Sequence, residues 1–316
     1  MVAAKALTHR YDQAVHKAVL LDPGARAKRH GDQQATVTGP LNYLLLGSDA
    51  RVDNPSLGQR SDTIILLHIP ASLDRAYLIS IPRDLRVSIP PFPDTGFAGS
   101  TEKINAAFGY GSRNGVGALG GVRLLSATLS QLLGIRFDGA VIVDFAGFQK
   151  VVDLLGGVDL CVDHETHSIH TGAVYHVGCQ YMRPWQALDY VRQRKDQPDG
   201  DYDRQRHEQQ FLKAIFERAV AQGVAGNPLK LDRMIQAVGQ SLTVDTNGVP
   251  LDELVFSLRN VSPTTLVGVK VPSHPTMIGD TSYVLPDDQA DSLYQAIRDD
   301  TMDTWIAANG DWVNTI

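Results

Sequence analysis

Three short apolar runs leave this chain little choice of fold: Asn42-Tyr43-Leu44-Leu45-Leu46-Gly47, Thr63-Ile64-Ile65-Leu66-Leu67-His68-Ile69 and Ala76-Tyr77-Leu78-Ile79-Ser80-Ile81. They are too short for ordinary core helices and lack the alternation of a half-solvated strand, so they read as strands buried on both faces. Further on, strand and helix patterns alternate. A stripe of Val122, Leu125, Leu129 and Leu132 predicts a helix over 122–133, closed by Gly134. A strand over 140–144, a helix over 145–155 stopped by Gly156-Gly157, and a strand over 158–162 follow. This alternation predicts an α/β fold, a central mixed β-sheet with helices on both faces in three layers.

Polar residues gather where the buried strands end. Ser48-Asp49-Ala50-Arg51 through Arg60-Ser61-Asp62 joins the first two runs, and Pro82-Arg83-Asp84 follows the third. Loops at strand ends are where open α/β sheets place ligands. Asp49 and Asp62 each lie beside an arginine, Arg51 and Arg60. Two carboxylates with few other ligands suit Mg²⁺ shared with phosphate oxygens. Either Asp alone reads better as turn chemistry.

The densest charge lies in Arg192-Gln193-Arg194-Lys195-Asp196-Gln197-Pro198-Asp199-Gly200-Asp201-Tyr202-Asp203-Arg204-Gln205-Arg206. A short helix over 184–191, with proline at its start, delivers Arg192 and Arg194 to this turn. Asp203 is placed to N-cap the long helix that follows, whose apolar face is Phe211, Leu212, Ile215, Phe216 and Ala219. On that helix Arg204 shares a face with His207 or Glu208. Guanidinium forks match phosphate oxygens, and a helix start adds unpaired N–H groups. A solvated face, with the arginines paired to Asp196, Asp199, Asp201 and Asp203, explains this stretch equally well on its own. The 316 residues carry a net charge of −6, so the cluster is a local feature, and a general nucleic-acid binder is excluded by the lack of a broad basic footprint. No apolar run approaches bilayer-spanning length.

Cys161 and Cys179 close a short loop and suit a disulfide of an oxidising compartment; the alternative is a pair of reduced, buried thiols. His164, His167, His170 and His176 do not match a zinc-ligand spacing and read as surface histidines on a polar hairpin. Gly115-Val116-Gly117-Ala118-Leu119-Gly120 matches the dinucleotide fingerprint, but no strand leads into it, so it reads as a helix entry. Residues 1–38 read as an N-terminal linker with a peripheral helix over 3–21, in which Arg26, Lys28, Arg29 and His30 are solvated. Residues 39–316 read as a single domain, with helices over 231–238, 251–258 and 291–309 and a strand over 266–271.

In order along residues 41–220, Asn42–Arg51, Arg60-Ser61-Asp62-Thr63, Ser80-Ile81-Pro82-Arg83-Asp84, Lys103-Ile104-Asn105-Ala106-Ala107, Ala187-Leu188-Asp189-Tyr190-Val191-Arg192-Gln193-Arg194 and Gly200-Asp201-Tyr202-Asp203-Arg204 resemble the LytR-CpsA-Psr family. The resemblance implies a catalytic domain outside the cell, anchored to the membrane by a segment absent from this chain. It implies transfer of a glycan phosphate from a polyprenyl diphosphate carrier to a peptidoglycan hydroxyl, with an apolar tunnel for the prenyl chain. Asp49 and Asp62 would hold Mg²⁺. Arg60, Arg83, Arg192, Arg194 and Arg204 would hold the diphosphate, helped by Arg51, Lys103 and Gln209. The family often has Arg-Gln-Gln where this chain has His207-Glu208-Gln209, which leaves the roles of His207 and Glu208 open; a charged Glu208 would repel a diphosphate.

The residue chemistry agrees with that expectation. Phosphoryl transfer needs positioning and charge neutralisation more than covalent catalysis, and a carboxylate such as Asp62 or Asp84 would take the acceptor's proton. Val141, Val143, Phe145, Phe148, Phe211 and Ile215 are the candidates to line the tunnel, or simply fill a core. A prenyl-diphosphate hydrolase and a non-catalytic binder of lipid-linked glycans are the competing readings. High Gly, Ala, Asp, Arg and Val content hints at an actinobacterial source, hence an arabinogalactan, teichoic-acid or capsule-type polymer.

Overall fold

The second apolar run forms β3 (Ser61–Ile69) and lies at the middle of the sheet, antiparallel to its neighbours on both sides, β2 (Leu41–Ser48) and β4 (Ala76–Ser80). The computed structural model describes residues 15–28, 37–48, 61–194, 197–224, 227–239 and 242–316. Asp49, Arg51, Arg60 and Lys195, all named above as candidates, lie outside them. Beyond β2 come β7 (Gly139–Val143), parallel to it, then β12 (Leu242–Asp245) and β1 (His16–Lys17). Beyond β4 come β13 (Leu266–Lys270), parallel to it, and β16 (Val313–Asn314). The eight-stranded sheet is therefore mixed, in the order β1-β12-β7-β2-β3-β4-β13-β16.

Alternate side chains of each central strand serve different layers, as a period of two requires. Leu44, Leu46, Ile64, Leu66, Tyr77 and Ile79 point into the largest core cluster. Helices α1 (Asn105–Gly111) and α2 (Gly117–Leu133) cover that face with Phe108, Leu125 and Leu129. On the opposite face stand α3 (Phe145–Leu154), α4 (Pro184–Val191) and α5 (Asp201–Ala221). They pack together through Val152, Tyr190, Val191, Phe211 and Ala214. The three-layer expectation holds. Helix α6 (Pro228–Val238) and helix α7 (Leu251–Ser257) lie between α5 and β13, close to their expected ranges.

Two hairpins lie outside the central sheet, β5 (Arg86–Ile89) with β6 (Ser100–Lys103) and β14 (Ser273–Ile278) with β15 (Thr281–Pro286), and another carries the cysteines. β8 (Val158–Val162) pairs antiparallel with β11 (Gly178–Met182), and Cys161 stands directly opposite Cys179 and is bonded to it. Between them, β9 (Thr166–His167) and β10 (Val174–Tyr175) form a smaller hairpin that carries the histidines.

Four local expectations need correction. Residues 16 and 17 are an edge strand rather than helix, and the segment behind them is core: Leu20 and Leu21 are fully buried. Arg26, expected in a solvated linker, donates both of its short hydrogen bonds (2.6 Å) to Asp245, which also accepts from the Leu20 N–H at 2.9 Å. The expected C-terminal helix is two, α8 (Gln289–Arg298) and α9 (Met302–Ala308). They are parted at Asp300, whose φ of 54° lies in the left-handed region that ends a helix. Asp203 does not cap α5. Gly200 occupies the cap position, while Asp203 sits in the first turn and accepts the Asp199 N–H at 2.7 Å.

Candidate active site

The face of the sheet turned towards α3, α4 and α5 encloses a cavity of about 460 Å³. Its floor follows from strand register: Leu45 pairs with Ile65 on one side and Val141 on the other, and Gly47 pairs with Thr63 and Val143. The helices close it with Phe145, Phe148, Leu188, Phe211, Leu212 and Ile215. All six side chains proposed from sequence for an apolar lining are there. The Phe148 and Phe211 rings stack with centroids 3.8 Å apart.

The same cavity is lined by Asp62, Arg83, Arg192, Arg194, Arg204 and Glu208. All but Glu208 arrive from the ends of elements or the turns beside them. Asp62 opens β3, Arg83 follows β4 in a tight turn, Arg192 is the C-cap residue of α4, and Arg204 lies in the first turns of α5. The arginines proposed from distant stretches are therefore brought together wherever the structure describes them.

Carboxylates hold these cations in place. Arg83 Nη1 lies 2.7 Å from Asp62 Oδ1, and its Nε lies 3.3 Å from Asp201 Oδ1. Arg204 donates to Asp201 Oδ1 at 2.8 Å, to the Asp62 carbonyl at 2.9 Å and to Glu208 Oε1 at 2.9 Å. Asp201, on the first turn of α5, so orients two of the arginines. Burial works against the Arg204 charge, but Glu208, Asp201 and Asp62 more than offset it, and its pKa is raised. Lys103 reaches the cluster indirectly, through Asp84 at 3.1 Å, which also lies 3.8 Å from Arg83; neither Lys103 nor Asp84 lines the cavity. Arg192 lies over the Phe145 ring at 4.1 Å, joining the charged and apolar parts of the lining.

The structure gives partners to Glu208, whose role the sequence leaves open. Its carboxylate is buried and engaged by Arg204 and by the Thr63 hydroxyl, which donates at 2.5 Å. Burial, only partly countered by Arg204, raises its pKa to about 7. Gly47 makes this contact possible, since a Cβ there would lie 2.8 Å from the Thr63 Cβ. The spacing of four residues marked the shared face of Arg204 and Glu208; nothing local marked the burial. His207 is equally buried, stacked on Tyr190 with centroids 4.5 Å apart. Gln209, expected at the ligand, is elsewhere. Its amide nitrogen donates to the Leu78 carbonyl at 2.8 Å, Ser80 Oγ at 2.7 Å and the Val269 carbonyl at 2.9 Å. It is a clamp between sheet strands.

For a metal ion, the useful atom is Asp62 Oδ1, which is buried and makes no hydrogen bond; its contact with Arg83 is an ion pair by distance but lacks hydrogen-bond geometry. Among the described residues, no group of three or more His, Cys, Asp or Glu side chains gathers as a metal cage. Mg²⁺ does not need one, because it keeps several waters and is held by one or two carboxylates.

Comparison with known proteins finds relatives along most of the chain. The model of the LytR_cpsA_psr family matches residues 6–299. A probable cell wall biosynthesis protein LcpB of Corynebacterium glutamicum is 31% identical over 223 residues, covering 67% of this chain and 50% of that protein. The chain thus spans about half the length of that relative. A polyisoprenyl-teichoic acid–peptidoglycan teichoic acid transferase TagU of Oceanobacillus iheyensis is 28% identical, covering 81% of this chain and 75% of that protein. The crystal structure of B. subtilis TagV shares the fold, with a TM-score of 0.65 at 24% identity over 84% of this chain and 98% of that one.

Proposed function

The chain belongs to the LytR-CpsA-Psr family, and from that premise we propose that it is a phosphotransferase acting outside the cytoplasm. It moves a glycan phosphate from a polyprenyl-diphosphate-linked cell-wall polymer to a peptidoglycan hydroxyl. One observation carries the reading: a single cavity is lined by Phe145, Phe148, Phe211 and Ile215 and also by Arg83, Arg192, Arg194 and Arg204. A ligand with an apolar chain on a diphosphate matches both parts at once. A purely charged nucleotide would leave the apolar lining unused, and a neutral lipid would bring no charge to the arginines.

In the reaction, the acceptor hydroxyl oxygen attacks the glycan-bearing phosphorus. The bond from that phosphorus to the bridging oxygen breaks, leaving a phosphodiester and a polyprenyl monophosphate. Arg83 and Arg204, fixed by Asp201, stand ready to balance charge growing on the leaving phosphate without moving. The acceptor's proton leaves to a carboxylate. Asp62 supports that role better than Asp84, which lies outside the lining and is tied to Arg83 and Lys103. Asp62, with Asp49 from beyond the described residues, would hold Mg²⁺, which supplies further charge neutralisation when bound.

The polymer proposed is a teichoic-acid-like glycan, after the name of the TagU relative, or an arabinogalactan-like one, after the residue composition. The Cys161–Cys179 disulfide supports a location outside the cytoplasm. No helix among the described residues is long and apolar enough to cross a membrane; attachment through a separate anchor segment is part of the proposal.

The test is phosphate release from a short prenyl diphosphate, with Mg²⁺ and with a chelator, by the native protein and by Arg83→Ala and Asp62→Ala. Metal-dependent release lost in both variants is the expected result, and a peptidoglycan fragment should then divert the product from free phosphate to a phosphomonoester on the fragment. Free phosphate unaffected by the fragment would mean a hydrolase. Tight binding without turnover would mean a binder, and neither binding nor release would overturn the site.

A further inference from the structure

We infer that His170 contacts the first saccharide of the donor, just outside the diphosphate; this rests on the reading above and adds a recognition element to it. His170 belongs to the loop between β9 and β10, and its side chain lines the cavity together with Arg192 and Arg194. His170 and Arg194 are the exposed members of the lining, so they mark its open rim. A prenyl chain in the apolar part and a diphosphate on the arginines leave the distal substituent at that rim.

The loop is fixed from below. The Ser168 hydroxyl accepts the His170 N–H at 3.1 Å and the Thr171 N–H at 3.0 Å, and donates to Asp189 Oδ1 at 2.8 Å. Thr171 and Tyr175 each donate a hydroxyl to Asp189 Oδ2 at 2.8 Å. Gln193 accepts the Ile169 N–H at 3.2 Å and donates to Ser168 Oγ at 3.0 Å. Asp189 and Gln193 are buried, and they alternate in sequence with Arg192 and Arg194. The segment that delivers the two arginines therefore also sets the position of the histidine, and phosphate and rim contacts are held as one unit.

The chemistry of the imidazole selects the partner. Guanidinium groups only donate hydrogen bonds and ionised carboxylates only accept them, whereas an imidazole offers both capacities. A sugar hydroxyl does the same. The arginines are matched to phosphate oxygens, and His170 adds the complement that a saccharide needs.

The experiment compares two probes: a short prenyl diphosphate, and the same compound bearing one N-acetylhexosamine on the distal phosphate. Binding of each is measured directly for the native protein, His170→Ala, His170→Gln and His170→Arg, with steady-state phosphoryl transfer alongside. His170→Ala should weaken the saccharide probe by about three- to tenfold, the worth of one or two exposed hydrogen bonds, and leave the bare probe unchanged. His170→Gln, which keeps a donor and an acceptor, should restore most of the loss; His170→Arg should not. Equal weakening of both probes, rescue by arginine, or no effect on either overturns the inference while leaving the diphosphate site intact. Native protein that binds neither probe overturns the underlying reading instead.

Discussion

Arg204 and Glu208, one helical turn apart on α5, meet inside the protein with Nη1 2.9 Å from Oε1, and the same carboxylate oxygen accepts the Thr63 hydroxyl. A carboxylate in a diphosphate site would repel its ligand if it faced that ligand with a free charge. Here the charge is directed at Arg204, and α5 is joined through Thr63 to β3. Glu208 thus belongs to the support of the arginine.

The first prediction concerns pH. Burial raises the Glu208 pKa from the ordinary 4.5 to about 7, so the folded state holds this proton more tightly than the unfolded chain. Stability from this group is fully present below about pH 4.5 and is lost as pH rises to about 7. In ligand-free protein, the melting temperature of Glu208→Gln relative to the native protein should therefore rise across that window and level off above it. A difference that stays flat from pH 5 to 8 would show that Glu208 titrates no higher than in the unfolded chain, kept ionised by Arg204.

The second concerns Arg204 itself. Its guanidinium serves Asp201, Glu208 and the Asp62 carbonyl while buried. Removing it leaves the buried Glu208 carboxylate without its cation, a loss of about 3–5 kcal/mol by analogy with other buried pairs. Arg204→Ala should lower the urea midpoint accordingly. Arg204→Lys, which keeps the charge but not the planar fork, should recover part of the stability yet little of the phosphate release. Full recovery of release by lysine would mean that charge alone matters at this position.

The third concerns the disulfide. Cys161 lies two residues before Asp163, which pairs with Arg206 on α5. Burial works against the Asp163 charge, yet His207 and Arg206 outweigh it and hold the carboxyl below its usual range. The cross-link thus anchors the hairpin where it meets α5. Replacing both cysteines by serine should cost about 3 kcal/mol, the worth of closing a loop of this size. Thermal unfolding with and without reductant measures it; identical curves would show that the hairpin holds without the bond.

The layers of this fold were legible wherever burial imposes a local pattern. The runs at Leu44–Leu46 and Ile64–Leu67 are continuous because neighbours cover both faces, and a proline-opened helix at Pro184 needs no tertiary information. Strand direction was not legible, because β3 reads the same whether antiparallel or parallel to β2. Nor was β1: His16 and Lys17 are polar and edge-lying, and only pairing with Thr243 and Val244 makes them strand. In the site, the arginines were legible because their sequence context is dense and ordered. Asp201 and Glu208 were harder, since the sequence shows a charge but not its depth. Cys161 and Cys179 were legible as a pair by count and spacing.

Gln209 is the sharpest disagreement, and it yields the last prediction. By the family resemblance, it belongs to the ligand. In the fold it is fully buried; its amide nitrogen serves Leu78, Ser80 and Val269, and its oxygen accepts Asn314 Nδ2 at 2.8 Å. It joins β4, β13 and β16 from above the sheet, and Gly268 leaves room for it, since a Cβ there would lie 2.4 Å from its Oε1. Gln209→Leu removes those partners without reaching the cavity. It should cost about 1–3 kcal/mol, the penalty of leaving buried polar groups unsatisfied, while prenyl diphosphate affinity measured on the folded variant stays the same. Weakened binding with unchanged stability would reverse this assignment and return Gln209 to the ligand.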